Sequence, residues 1–427
     1  MLPATYWFMA KEQYITGLDI GTAYIRAVCG KLTEGEEGGV LSIVGAAEVE
    51  SQGLRKGVLV DIDEAVSCIS SVLEKVERMT GVGIDMVNVS VSGSHISTHP
   101  SHGVIAVSRA DGEISEADVV RCVDASQAIS VPQNREILHV FPKTFTLDGQ
   151  AGIKDPLGMS GVRLEVDTLI VQAGLPFVRN LSRSIMQAGL EIKELVLAPL
   201  AAGEAVLSKR QKDLGVALID LGAGTTSIAV YEEGDLIHAA VIPIGGQHIT
   251  NDLAIGLRSS IETAEKVKLM YGHSDPKAVG KTEEIDLSQV ESGETESVMR
   301  SYVVEIIEAR LEEIFGLVSK ELKSINRDGK LPAGVVLTGG GSRLPEVAEF
   351  AKKHLRLPAA LGMPQNLNTV IDKVEDPGFA TGVGLVLWGQ RYGQGSASYG
   401  SMFSSVKKVF SHPAAGKVKK WLKSFLP

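Results

Sequence analysis

Cysteine is scarce in this chain: Cys29, Cys68 and Cys122 are the only three in 427 residues. They are odd in number and scattered, and no Cys-x-x-Cys pair occurs. That excludes a disulfide framework and a structural zinc site, and it fits a reducing cytoplasm. No stretch approaches the roughly 18 apolar residues of a membrane-spanning helix. The opening MLPATYWFMA has no basic start and is short for a signal peptide. Met9-Ala10-Lys11 reads as a second start, and residues 1–11 are expected to be disordered. Acidic residues are missing from one region: none follows Asp376, while Lys407, Lys408, Lys417, Lys419, Lys420 and Lys423 crowd the end. An acidic body of net charge −10 with a basic tail argues against nucleic acid as a partner and for a tail with a partner of its own. With 44% apolar residues the body is globular, and its length calls for two or more lobes.

Two segments answer each other about 200 residues apart. YITGLDIGTAYIRAVCG carries Asp19, Gly21, Thr22 and Ala23; GVALIDLGAGTTSIAVY carries Asp220, Gly222, Ala223, Gly224, Thr225 and Thr226. Each is an apolar strand running into an Asp-x-Gly turn and then a second β-rich run. Glycine lets successive amides converge on one point, forming a nest for phosphate oxygens to which threonine hydroxyls add donors. The aspartates would repel phosphate, so their natural partner is Mg²⁺ or its waters. A single such turn is common; a pair implies two similar half-domains gripping one nucleotide. A third element, GVVLTGGGSRLP, is an apolar strand, the triplet Gly339, Gly340 and Gly341, then a helix start with Ser342 and Leu344. Bare glycine backbone leaves room for a base or ribose, and the helix start points its amides the same way.

In that order these elements resemble the actin, Hsp70 and sugar-kinase ATPase superfamily: two phosphate loops and an adenosine loop. Two runs of small residues, LAPLAAGEA before the second hairpin and DPGFATGVG near the end of the fold, resemble its connecting helices, which cross closely at a hinge. The resemblance implies ATP and Mg²⁺ as ligands, with Gly245 and Gly246 flanking the phosphates. In Ala264-Glu265-Lys266-Val267-Lys268, it implies Glu265 and Lys268 as ribose and adenine contacts. Arg26, seven residues after Asp19, falls where actin has a phosphate-contacting lysine.

The layout narrows the family. Residues 40–49 read as a strand and 61–79 as an amphipathic helix, with only residues 50–60 between them. Actin and Hsp70 place a whole subdomain there. Here the extra chain comes later, between strands at 87–93 and 163–171, too far apart for a loop. It contains strand-like 103–107, a helix over 116–128 opened by a Ser115/Asp118 capping box, and strand-like 137–147. A relocated α+β insertion of this kind resembles FtsA, the bacterial cell-division actin, a layout shared with the pilus protein PilM.

The expected fold is therefore α/β: an actin-like two-lobed ATPase with duplicated RNase H-like cores, the insertion 1C in place of 1B, and a C-terminal amphipathic helix. Subdomain 1A takes 12–93, 166–206 and 372–391, and 1C takes 94–165. Subdomain 2A takes 207–257 and 330–371, and 2B takes 258–329. A linker at 392–405 and a tail at 406–427 complete the chain.

The tail separates the relatives. Val418, Trp421, Leu422, Phe425 and Leu426 stand on one helical face with Lys417, Lys419, Lys420 and Lys423 around them. This is the pattern of a helix lying in an anionic membrane surface. A weaker repeat runs through Met402, Phe403, Val406, Val409 and Phe410. The alternative, a helix docked on its own domain, has little need of one-signed charge and the polar linker that precedes it. The resemblance to FtsA implies self-association into filaments and capture of the C-terminal peptide of FtsZ by a helical lobe. Arg300 and Arg310 are candidate contacts there, with later divisome proteins on the insertion. The acidic stretch 283–296 reads as a loop between two helices of that lobe. His95, His99 and His102 read as a polar loop rather than a zinc set, because Pro100 breaks any helix.

Hydrolysis is less well provided for. Filament proteins of the superfamily place a water-orienting Glu or Gln at the start of the first connecting helix, and here that place is Ala198. No nearby residue obviously substitutes, although Glu204 sits two turns on. A nucleotide-gated protein with little or no turnover is the reading. A soluble ATP-dependent enzyme of the same superfold, or a PilM-like pilus adapter, are the alternatives.

Overall fold

The computed structural model describes residues 13–33, 39–109, 111–128, 132–292, 296–365 and 367–392. Two sheets of like construction form its two lobes. The first runs Glu191–Leu197, Met86–Val91, Gln13–Ile20, Tyr24–Thr33, Val40–Glu50 and Asn368–Thr369. The second runs Asp235–Ile242, Thr226–Glu232, Val216–Leu221, Val335–Thr338 and Ala359–Leu361. Each is an antiparallel three-strand meander extended by parallel strands beside its first strand. The first strands are buried over most of their length because both faces are covered, as in other α/β sheets.

The helix Ile62–Thr80 forms where predicted. Asp61 caps it by accepting from the Glu64 N–H at 3.1 Å, and Ala65, Ile69, Val72, Leu73 and Val76 bury one stripe. The connecting helices Ala198–Val206 and Ala380–Tyr392 cross where the small-residue runs placed them. A Cβ on Gly384 would lie 1.8 Å from the Ala201 carbonyl oxygen, so only glycine allows this approach.

The insertion is a four-stranded sheet ordered Ser97–Ala106, Arg163–Gly174, Arg135–Leu147 and Gln150–Ile153. It is backed by the helix Glu116–Gln127 and has its own core around Val123, Phe145 and Leu164. The Ser115/Asp118 capping box is present. The strand expected at 103–107 is longer, beginning at Ser97 and passing through Pro100. It pairs on one side only, and proline is tolerated at a sheet edge. Across the molecule the insertion reaches the edge strand of the second sheet. Thr98 Oγ1 donates to the Ala239 carbonyl at 3.0 Å, Lys143 Nζ to the Ile237 carbonyl at 3.4 Å, and Lys154 pairs with Asp235 at 2.5 Å.

The acidic stretch after residue 283 is not all loop: Glu284–Asp286 and Ser297–Met299 pair as a short ribbon leading into the helix Arg300–Ser324. Residues 1–12 and everything from 393 on, and with them the predicted tail, lie outside the described residues.

His139, fully buried on the insertion strand Arg135–Leu147, accepts a hydrogen bond from the Leu197 N–H at 3.1 Å, at the start of the first connecting helix. Only a neutral imidazole accepts it, and burial pushes the His139 pKa down from 6.5 to about 4. As pH falls the unfolded chain therefore takes up this proton first. The contribution to stability is intact above pH 6.5 and drains between there and about pH 4. Between pH 7 and pH 5 this residue should cost about 2 kcal/mol of unfolding free energy. Urea titrations of the wild type and His139→Gln at both pH values should show that difference, with the variant the less pH-sensitive.

Candidate functional site

The two hairpins meet at the cleft between the lobes. Antiparallel pairing sets Asp19 opposite Arg26 and Asp220 opposite Ser227. Both turns close alike: the Gly21 N–H donates to the Tyr24 carbonyl at 3.1 Å, and the Gly222 N–H to the Thr225 carbonyl at 2.9 Å. A Cβ would come within 2.6 Å of that carbonyl oxygen at Gly21 and within 2.9 Å at Gly222. The turns also face each other, since a Cβ on Gly224 would lie 2.7 Å from Thr22 Oγ1. Ala23 and Ala223 stand at the tips, where the Ala23 carbonyl accepts from the Ser51 N–H.

The aspartates sit deep in this cleft. Ser90 Oγ donates to Asp19 at 2.8 Å and accepts from the Ile20 N–H at 3.0 Å. Burial raises the Asp19 pKa, and Arg26 and Ser90 draw it back. Burial, reinforced by the charge on Asp19, pushes Asp220 up to about 7, against the pull of Arg26 and Thr381. Two buried carboxylates, with the charge on Asp19 raising the Asp220 pKa further, are what a divalent cation would relieve.

The glycine triplet lies against the same floor. Gly339, at φ +82°, has no room for a side chain: a Cβ would be 2.1 Å from Asp220 Oδ1. A Cβ on Gly341 would press on the Leu221 carbonyl oxygen at 2.9 Å, but one on Gly340 would meet nothing within 4 Å. Gly340 thus presents bare backbone to open space. The helix start is weaker than expected. Gly340–Arg343 is one 3-10 turn, and the α-helix Val347–Leu355 begins only after Glu346 at φ +62°. Its amides are therefore displaced from the triplet.

Several predicted contacts are otherwise engaged. Thr226 Oγ1 turns away and donates to the Ile244 carbonyl at 2.7 Å. Ser342 Oγ donates to Gly339 within its own turn, also at 2.7 Å, and Leu344 packs into the second lobe's core. The Gly246 and Gln247 N–H groups donate to the Gly222 and Ala223 carbonyls, and a Cβ on Gly245 would strike Gly222 O at 2.4 Å. This stretch fastens the second turn to the helix Gly246–Leu257 rather than offering free amides. Arg26 is buried, binds Glu48 at 2.9 Å and stacks between the Tyr24 and Phe379 rings. It screens the aspartates from below, with its guanidinium held by Glu48. Glu265 and Lys268 are brought to the start of the same helix. Lys268 Nζ donates to Thr250 Oγ1 at 2.8 Å and to Glu265 at 2.6 Å.

Glu204 cannot serve Ala198's missing role. It is held by Lys212 at 2.8 Å and Arg391 at 2.9 Å, beside Tyr231, at the far end of the strand pair from Asp220. Arg300 and Arg310 are both paired internally. Arg300 binds Glu283 and the Tyr271 carbonyl, and Arg310 grips Asp252 at 2.6 and 2.8 Å. His102 lies between Asp167 and Glu165, at 2.9 and 3.0 Å.

Ser90, Thr381 and the Arg343–Asp376 pair were not foreseen. Ser90 had a signal: alternation in Val87-Asn88-Val89-Ser90-Val91 places it on the face of Asn88, one strand from Asp19. Arg343 ends the turn of the glycine triplet, and Asp376 and Thr381 come from the second connecting helix and its approach; spacing within either motif does not show that the two segments pair.

Two like lobes, paired aspartate turns and a glycine triplet beside them define an actin-like ATPase fold. Among solved structures the chain is similar to a PilM–PilN type IV pilus biogenesis complex (TM-score 0.63, 17% identity, 88% of this chain and 98% of that one). It is also similar to MreB5 of Spiroplasma citri bound to ADP (TM-score 0.52, 14% identity, 89% and 97%). Family models match as "Cell division protein FtsA" over residues 217–384 and "SHS2 domain inserted in FTSA" over residues 93–172. Relatives described as cell division protein FtsA include that of Pseudomonas aeruginosa, 36% identical over 96% of this chain and 97% of its own. Those of Bacillus subtilis (40%; 88% and 84%) and Escherichia coli K12 (31%; 89% and 91%) match as well. The chain belongs to the FtsA family of cell division proteins.

Proposed function

We propose that this cleft binds ATP with Mg²⁺, and that the chain polymerises on the inner face of the cytoplasmic membrane. There it tethers FtsZ filaments through its C-terminal amphipathic segment. The observation that carries the reading is the pair of like turns facing each other, an aspartate at the foot of each and a side-chain-free glycine beside them. Asp19 and Asp220 would hold Mg²⁺, directly or through its waters. The Gly21–Thr22 and Gly222–Thr225 turns would cradle phosphates, and Gly340 would support the adenosine. The metal would neutralise phosphate charge when bound. With a methyl at Ala198 and Glu204 held by Lys212 and Arg391, neither of these two residues orients a water, and this reading favours binding over turnover.

Subunits of this shape stack head to tail, an open-ended contact that grows filaments. The helical lobe exposes Ile255, Ile261, Leu269, Met270 and Tyr302. Apolar contact with the FtsZ peptide is therefore better supported than a charge pair with Arg300 or Arg310. The insertion is the surface offered to later divisome proteins. Among the described residues no helix is long and apolar enough to cross a membrane, so a surface-lying tail is the anchor proposed.

Saturating ATP with Mg²⁺ should raise the melting temperature, by about 2.7 kcal/mol of stabilisation at a hundredfold excess over Kd. The effect should fall away in EDTA. With nucleotide on an anionic lipid layer, electron microscopy should show short filaments or sheets. Persistently monomeric protein there would favour a soluble enzyme of the same fold.

A further inference from the structure

Around the two turns, Arg26, Lys268 and Arg343 each have a carboxylate partner, in Glu48, Glu265 and Asp376. Among the described residues Lys56 has no such partner, and its position is unusual. It opens the two-residue turn between the short strands Leu54–Arg55 and Val58–Leu59. Lys56 and Gly57 have φ of 52° and 73°, the form of turn that suits the twist of a hairpin. Asparagine or glycine is the favourable residue at its first position, because a Cβ is crowded in the left-handed region. A strained residue of this kind persists only where its surroundings hold it.

Here they hold it from both sides of the cleft. The Gly57 N–H donates to Thr22 Oγ1 at 2.9 Å, which pins the hairpin to the first turn. A Cβ on Gly224 would lie 2.9 Å from Lys56 Cα, so the same residue abuts the second turn. Its charge also reaches His248, whose pKa is lowered by burial and further by Lys56 and Arg310. The His248 ring accepts from the Gly245 N–H at 3.1 Å and so belongs to the second turn's anchor. The strap 54–59 therefore sets the backbone of Lys56 where the two turns meet, and from there its unpaired ammonium extends on an exposed, flexible four-carbon stem.

We propose that Lys56 reads the terminal phosphate of a bound nucleoside triphosphate and so makes the cleft distinguish tri- from diphosphate. This rests on the reading of the cleft as a nucleotide site. A phosphate chain gripped by both turns has its end where they converge, and a diphosphate leaves that point empty. Lys56 then gains a charge-assisted bond only with the triphosphate.

The test is calorimetric titration of ATP and of ADP, each with Mg²⁺, into the full chain and the variants Lys56→Gln and Lys56→Gly. The glycine variant removes the charge while suiting the turn better, so loss of fold cannot explain its result. ATP affinity should fall about 10–100-fold in both variants while ADP affinity stays within about twofold. Equal losses for ATP and ADP, or none for either, would overturn the assignment. If the wild type bound neither nucleotide, the nucleotide reading would fail first and this inference with it.

Discussion

Gly340→Glu is expected to abolish stabilisation by ATP and Mg²⁺ while leaving the unliganded protein as stable as the wild type. The reason is geometric. Gly340 has no positive φ to forbid a side chain, and a Cβ there meets nothing within 4 Å, so the glutamate enters the open cleft. It would fill that space and set a third carboxylate near Asp19 and Asp220, opposing any anionic ligand. Gly339→Ala is the instructive contrast. There a Cβ would lie 2.1 Å from Asp220 Oδ1 at φ +82°, so the fold itself should suffer. Melting curves with and without ATP separate the two: Gly340→Glu loses the ligand-induced shift, and Gly339→Ala lowers the baseline. An undiminished shift in Gly340→Glu would remove the triplet from the site.

Trp421→Glu should abolish membrane recruitment with folding and nucleotide binding preserved. Trp421 stands in the middle of the apolar stripe Val418, Trp421, Leu422, Phe425 and Leu426, and its ring suits the headgroup boundary. A carboxylate there opposes both burial and the anionic surface. In liposome co-sedimentation the variant should remain in the supernatant. Lys419→Glu with Lys420→Glu should lose binding on anionic vesicles only, an effect high salt should reproduce. A Trp421→Glu protein that unfolds but still binds lipid would make this segment a docked core helix and defeat the tether.

The architecture was legible because its marks are local: strand-ending Asp-x-Gly turns, small-residue runs, and the capping box at Ser115. Those features dictate backbone geometry whatever lies around them. The candidate site was legible only as backbone geometry. Gly21, Gly222, Gly339 and Gly340 stand where their lack of a side chain matters, but the polar side chains were harder to place. Thr226, Ser342 and Arg26 have the right chemistry beside the right turns, yet Ser342 turns back on its own Gly339 and the other two are satisfied by partners that sequence spacing does not reveal. For Arg26 that partner is Glu48 on the third strand; for Thr226 it is a carbonyl eighteen residues on. Lys56 escaped for the converse reason. Nothing in Leu54-Arg55-Lys56-Gly57 announces a ligand, and its significance comes from two loops of different lobes folding against it.

The ties between the insertion and the strand Asp235–Ile242 make the insertion a brace as well as an appendage. That strand continues the hairpin that begins at the second aspartate turn, so the Thr98, Lys143 and Lys154 contacts are load paths between cleft and insertion. A motion that opens one lobe from the other must stretch or exchange them. Thermodynamic reciprocity then applies: a partner that binds the insertion better in one arrangement of these ties must change the cleft's affinity for its ligand by the same factor.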